Sequence, residues 1–280
     1  MDSNNIKLLI IGKRSNLTFH IENRYLNTIS FSTDEVLNNI DCLNKFKNEN
    51  IVILFNNFQA ANKLSDIENM ESFVNKSITS TVKVLDYIKN FKNIEKVIYT
   101  SSSSVYGDNK HCSEDDIPHP ISLQASLKLS NEFFIKQYCN KYNIDYTILR
   151  IFNMYGGNDN FSIISKIIKS IKNKEILNLV NNGSGIRDFI HIGDVVSVIL
   201  DVLNIKDLPI LNIGTGNKKS VKEIVDFLFS KNIEVNIKNI VNNNEIKVSI
   251  ANIDKLKKIY KNDFIKVEEY ILKELEKEVN

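Results

Sequence analysis

Short apolar runs separated by stretches of helical spacing constrain this chain more than any other feature. Four of them stand at Ile6 to Ile11, Ile51 to Phe55, Val97 to Thr100 and Thr147 to Phe152. A short run without a polar face reads as a strand buried on both sides, the kind found in parallel sheets. Thr28 to Phe31 predicts a further strand. Helical stretches fall between them. One begins near Leu17, and another opens at Thr33-Asp34-Glu35 with Thr33 or Asp34 as N-cap. A long one runs from Met70 to Phe91, with Val74, Ile78, Val82, Leu85 and Ile88 at helical spacing, and another from Gln124 to Tyr142. Strand and helix in alternation imply βαβ units. The fold class expected is α/β: a Rossmann-like doubly wound parallel sheet with helices on both faces.

After Tyr155 the pattern changes. Helices around Phe161 to Lys172 and Ile192 to Leu203 mix with short strands near Ile176 to Val180 and Ile210 to Ile213. The expected division is a Rossmann-like cofactor domain over 1–155, with a shortened first half, and a smaller α/β substrate domain over 156–280, partly interleaved with it. The Asn-rich run at Asn242 to Asn244 reads as a loop.

Charge excludes one class of partner. Lys and Arg number 36 against 34 Asp and Glu, so the net charge is +2. The basic residues are interleaved with acids, and no nucleic-acid surface is expected. The three cysteines, Cys42, Cys112 and Cys139, are widely spaced and form no CxxC pair, so neither a disulfide framework nor a metal site is expected. No apolar stretch approaches the roughly 20 residues that span a bilayer. The first residues lack signal-peptide architecture. A cytoplasmic protein is the expectation.

Five segments carry chemistry: TSSSSVYG at 100–107, the helix with Lys128 and Glu132, LRIFNMYGG at 149–157, GSGIRDFIHIGDVV at 183–196 and LNIGTGNKKSVKEIV at 211–225. Their order and spacing resemble the extended short-chain dehydrogenases/reductases, the NAD-dependent epimerase/dehydratase family acting on nucleotide sugars. The resemblance implies a role for Ser102, whose position relative to Tyr106-Gly107 matches the catalytic Ser/Thr that hydrogen-bonds the reacting sugar oxygen. Ser103 and Ser104 stand where 4,6-dehydratases carry an Asp-Glu pair, so dehydration is not expected. Ser103, Asn153 and Arg187 match substrate positions. A guanidinium suits a diphosphate because it donates in a fixed fork. Asp188 and Asp194 are expected to organise loops, His191 to be structural, and Asn75 to brace the sheet.

Two departures from the family pattern stand out. Where the family has Tyr-x-x-x-Lys, this chain reads Gln124-Ala125-Ser126-Leu127-Lys128. Lys128 is kept. Gln124 can hydrogen-bond but cannot exchange a proton at neutral pH, and a lost general acid typically costs on the order of 10²–10⁴-fold in rate. In place of Gly-x-x-Gly-x-x-Gly the chain has Gly12, Ser15 and Thr18. Gly12 keeps the tight turn, while Ser15 and Thr18 add side chains where backbone approaches a pyrophosphate. Arg14 could supply charge to a phosphate, and Asp34 is the nearest candidate for a ribose contact. Between Gly12 and Ile51 there is room for about two helices and one strand, where the family usually fits another strand.

The resemblance therefore implies a 4-reductase or epimerase of a nucleotide sugar in surface-polysaccharide or deoxysugar biosynthesis. NAD or NADP would be held by Gly12, Arg14, Ser15, Asp34 and Lys128, with Ser102, Gln124 and Lys128 at the reacting centre. The family's usual homodimer would pair the helices near 70–91 and 124–142 of each copy. A second reading stays open: a degenerate member that binds a nucleotide sugar or a protein partner without redox chemistry. A third is a repurposed pocket, such as that of a cofactor-independent isomerase.

Overall fold

In the computed structural model, which describes residues 6–57, 69–243 and 245–277, the apolar runs become the strands of one sheet. The strands β1 (Lys7–Ile11), β3 (Ile51–Phe55), β4 (Ile94–Ser102) and β5 (Asp145–Ile151) lie side by side and parallel. With β2 (Thr28–Phe31) at one edge and β10 (Ile210–Ile213) at the other, the sheet has six strands in the order β10-β5-β4-β3-β1-β2. The order reverses at β1, so chain connections diverge there and leave a crevice beyond the carboxyl ends of the strands. No strand separates β2 from β3; that interval holds α2 (Thr33–Asn38) and a 3₁₀ segment, Ile40–Phe46. The resemblance's usual extra strand is thus missing, as the short interval implied.

Alternate residues of each strand feed cores on the two faces. Leu8, Ile10, Val52, Leu54 and Ile98 pack with α1 (Asn16–Glu22) and α7 (Ile192–Val202). Leu9, Ile11, Ile53, Phe55, Val97 and Tyr99 pack with α4 (Ser80–Ile88) and α5 (Leu123–Tyr142). These side chains are almost wholly withdrawn from water, and fully burying a Leu or Ile stabilises by about 1.5–3 kcal/mol. A third core forms beyond the sheet, with Ile164 and Ile167 of α6 (Ile163–Asn173), Ile224 and Leu228 of α8 (Val221–Ser230) and Ile271 of α10 (Val267–Glu276). The chain returns to the large sheet after building part of that lobe, since β10 pairs with β5 and α7 packs against α1.

Several element ends differ from the expectations. The cap of α2 is Ser32, not Thr33 or Asp34: Ser32 and Glu35 form a reciprocal capping box, with Ser32 Oγ accepting from the Glu35 N–H and Glu35 Oε2 accepting from the Ser32 N–H. The long helix after residue 69 stops at Ile88, short of Phe91, and is not one regular helix. It comprises α3 (Met70–Val74), a π turn (Asn75–Thr79) and α4. The Ser77 carbonyl, in the π turn, accepts from Asn57 Nδ2 (3.1 Å), Asn131 Nδ2 (3.0 Å) and Thr81 Oγ1 (2.8 Å). Asn242 and Asn243 lie outside helix and strand, and Asn244 is outside the described residues. Among the described residues no helix is long and apolar enough to cross a membrane, and no cluster of His, Cys, Asp or Glu is arranged to hold a metal ion.

Candidate active site

The crevice at the strand ends is a cleft of about 520 Å³ lined by Gly12, Arg14, Ser15, Asp34, Asn56, Asn57 and Gly156, among others. Four of the expected cofactor residues therefore meet in one place. Gly12 has φ +133°, and a Cβ there would lie 2.2 Å from the Asn56 carbonyl oxygen. Only glycine lets β1 turn away this close to β3. Asp34, at the start of α2, accepts from Arg14 Nη1 (2.9 Å) and lies 3.9 Å from Lys76 Nζ. These groups ring the mouth of the cleft on the β2 side.

Ser15 and Thr18 do more than crowd the turn. The N–H groups of Leu17 and Thr18 donate to Ser15 Oγ (3.1 and 3.4 Å), so Ser15 is the N-cap of α1. Thr18 Oγ1 donates to the Gly12 carbonyl (2.9 Å). Asn56, at the end of β3, donates its amide to Ser15 Oγ (2.7 Å) and Thr18 Oγ1 (3.0 Å), and its Oδ1 accepts from Thr100 Oγ1 (2.8 Å). Asn56 was not anticipated from sequence. The signal that could have found it is a pair of amides, Asn56-Asn57, directly after a buried strand, where parallel sheets place ligands. Asn57 spends its amide on Ser77 O, Ser80 Oγ and Thr81 Oγ1, while its buried Oδ1 has no hydrogen-bond partner.

The catalytic candidates gather at β4 and α5. Ser102 ends β4, and its Oγ accepts from the Ser104 N–H (3.2 Å), opening the 3₁₀ turn Ser103–Tyr106. Ser103 is half-buried in that turn, and Ser104 Oγ is buried without a partner. Lys128 Nζ donates to the Thr100 carbonyl and lies 5.0 Å from the Tyr99 ring centroid. Burial lowers the Lys128 amine to about 7, against the opposing charge of Glu132. Gln124 sits one turn before Lys128 on the same face of α5, half-buried. None of Ser102, Ser103, Gln124 and Lys128 lines the 520 Å³ cleft.

Glu132 and Arg150 clamp this region from below. Arg150 donates to Glu132 from Nε (3.2 Å) and Nη2 (2.7 Å), both side chains being buried. Ser101 Oγ donates to the same carboxylate, and the guanidinium lies 4.7 Å from the Tyr106 ring centroid. Tyr106 in turn donates to Asn212 Oδ1 (2.7 Å). Glu132 and Tyr106 are thus held as structure.

The substrate candidates Asn153 and Arg187 are brought near each other by pairing of β6 (Asn153–Tyr155) with β9 (Phe189–His191), where Asn153 faces Phe189. Asn153 Nδ2 donates to the Asp188 carbonyl (3.0 Å). Arg187, on β8 (Ile186–Arg187), donates to Glu245 Oε1 (3.2 Å) and to the Ile186 carbonyl (3.0 Å). Burial lowers its pKa and Glu245 counters that. Neither residue lines the cofactor-side cleft. Asp188 accepts from Thr215 N, Thr215 Oγ1, Gly216 N and Ala251 N. Asp194 accepts from Tyr260 Oη and Ile265 N (both 3.0 Å), and His191 Nδ1 caps α7 by accepting from Gly193 N. These three hold loops, and Asn75 lies in the π turn, where its Oδ1 accepts from Thr79 Oγ1 (3.1 Å).

Known proteins resemble this chain in sequence and in fold. Protein CapI of Staphylococcus aureus is 36% identical over 58% of this chain and 50% of its own length. A putative UDP-glucose 4-epimerase of Methanocaldococcus jannaschii is 34% identical over 65% of this chain and 61% of its own. The chain thus spans between half and two thirds of the length of these relatives. The solved UDP-glucuronic acid 4-epimerase of Bacillus cereus, in complex with UDP-glucuronic acid and NAD, superposes with a TM-score of 0.82 at 21% identity, covering 96% of this chain and 98% of that one. Residues 4–214 match the model of the NAD dependent epimerase/dehydratase family. The sheet, the crevice at its strand ends and the ordered motifs along them agree with that match, and the chain belongs to this family of extended short-chain dehydrogenases/reductases.

Proposed function

We propose that the protein binds a nucleotide sugar and acts on it as an NAD(P)-linked 4-reductase or epimerase. The observation that carries this reading is that Ser102 ends β4 while Lys128 reaches the backbone of the same strand at Thr100. The reacting hydroxyl and the amine thus share the sheet edge on which the Gly12 cleft opens. The cleft suits a dinucleotide at two points: Gly12 permits the tight turn at the end of β1, and Arg14 in its lining offers a cation to a phosphate. Gly12, Arg14 and Asp34 would hold it, with Ser15 at the turn that the diphosphate meets and Lys128 toward the reacting end. Bound there, a nicotinamide supplies or accepts hydride at a sugar carbon, usually C4.

The chain's own residues do the rest. Ser102 Oγ donates to the sugar oxygen. Lys128, an amine with a lowered pKa, supports charge at that oxygen. Gln124 cannot take a proton, so a water held by its amide carries it. Arg187 releases Glu245 to pair with the diphosphate, which its fork fits bidentately. Asn153 and Ser103 flank the sugar phosphate. A homodimer through α4 and α5, which expose Val82, Phe133 and Phe134, completes the proposal.

A second reading, binding without redox chemistry, is favoured by one observation, the amide of Gln124 in place of a phenol. The deciding experiment is calorimetry with UDP- and dTDP-sugars together with two turnover assays: optical detection of NADH or NADPH consumption on their 4-keto forms, and NMR detection of C4 inversion in the sugars themselves. Binding with turnover supports the enzyme; binding without turnover supports the second reading; no binding of any nucleotide sugar overturns both.

A further inference from the structure

The β1–α1 turn is closed by its own side chains. Ser15 Oγ takes the N–H groups of Leu17 and Thr18, Thr18 Oγ1 takes the Gly12 carbonyl, and the Asn56 amide bridges both hydroxyls. Through Thr100 Oγ1 on Asn56 Oδ1, the same amide is fastened to β4. Gly12, Ser15 and Asn56 all line the cleft. A dinucleotide entering the cleft meets a turn in which the Leu17 and Thr18 N–H groups are already taken by Ser15 and part of the lining is an amide fastened to that turn. α1 itself, Asn16–Glu22, is only two turns long, so it adds little dipole attraction to offset this.

We propose that Ser15, Thr18 and Asn56 form a latch that sets cofactor affinity, making the dinucleotide an exchanging co-substrate rather than a resident group. This rests on the proposed NAD(P)-linked activity and narrows it. An epimerase returns the hydride to the sugar within one binding event and gains from retaining its dinucleotide. A reductase must release it on every turnover. Weak, reversible binding at a latched turn suits the reductase: the keto carbon of the sugar gains a hydride from NAD(P)H, its oxygen gains a proton from water, and NAD(P)⁺ leaves. Asn56 is then an affinity-determining residue, acting through Ser15 and Thr18 and not on the sugar.

The test measures NADH and NADPH binding by fluorescence titration on the wild type, Asn56→Ala and Ser15→Gly, beside calorimetric titration of a nucleotide sugar on each. Ser15→Gly keeps an acceptable helix cap, since glycine is only slightly worse than serine there. Asn56→Ala leaves the cap intact and covers the case in which the glycine variant misfolds. The expected result is wild-type protein purified free of dinucleotide, at least one variant binding NADH or NADPH about tenfold more tightly, in keeping with one charge-assisted hydrogen bond regained, and unchanged sugar affinity. Wild type purified with stoichiometric dinucleotide, or folded variants that bind no more tightly, overturns the latch while leaving the NAD(P)-linked reading standing. Absence of any dinucleotide binding in all three, with the sugar still bound, overturns the NAD(P)-linked reading itself.

Discussion

The two halves of the site are both self-satisfied, but by different means. On the cofactor side, neutral hydroxyls and an amide close the turn between Gly12 and Thr18. On the substrate side, a cation is kept, and Arg187 is held by Glu245 until something displaces it. Neutral hydrogen bonds gain little from an incoming anion, because the groups that would meet it are already paired. An ion pair at the edge of solvent can exchange its carboxylate for a phosphate with charge assistance. On the proposed reading, the substrate half is arranged to be opened by its ligand, whereas the cofactor half is arranged to stand closed without one.

The largest expected effect concerns the reacting centre between the halves. If the loss of the phenol limits rate, Gln124→Tyr should raise turnover of a 4-keto nucleotide sugar on the order of 10²–10⁴-fold in a coupled NAD(P)H assay. An unchanged rate would show that the proton follows another route. Next comes the clamp that supports both halves. Glu132→Ala leaves the buried Arg150 unpaired and should cost about 3–5 kcal/mol in denaturant unfolding; a loss under about 1 kcal/mol would mean that the pair is dispensable.

Arg187→Ala sharpens the comparison on the substrate side. It should weaken nucleotide-sugar binding by about ten- to a hundredfold, by the energy of hydrogen bonds to charged groups, and leave dinucleotide affinity alone. Equal loss of both would erase the distinction between the halves. The smallest effect is a pH trend. Lys128 titrates near 7 in the fold and in the ordinary lysine range when unfolded. Between those values the unfolded chain binds the extra proton, so this residue makes stability rise with pH. The stability of the wild type relative to Lys128→Met should therefore climb from neutral pH toward pH about 10 in thermal melts; parallel profiles would place the amine in water.

Much of the sheet was legible because its strands are continuous apolar runs, a pattern that survives without context. Legibility failed where partners lie far apart in sequence. Asn56 acquires meaning only by reaching Ser15 and Thr18, some forty residues earlier. The cap at Ser32 was one residue off because Thr33 and Asp34 are equally good caps by type, and only the Glu35 reciprocity decides. The short strands β6, β8 and β9 carry two or three residues each and have no periodicity to read. Candidates such as Gly12, Ser102, Lys128 and Arg187 could be named from the sequence, and of these only Gly12 lines the 520 Å³ cleft. The hydrogen bonds that already occupy them could not be read there, because occupancy is a property of three dimensions.

The π turn at Asn75–Thr79 bears on how this chain can tolerate change in length. A π turn holds one residue more than an α turn, and deleting one residue would restore an ordinary ladder locally. The residues after it would keep the faces they have now, because the π turn absorbs the extra residue: Val84, Leu85 and Ile88 would stay on the core they share with β3 and β4, while the Ser77 carbonyl, inside the turn itself, would shift from Asn57 and Asn131. A single-codon deletion within Asn75–Thr79 should therefore be survived better than one within α4, where every later residue would rotate by about 100° around the helix axis and leave that core.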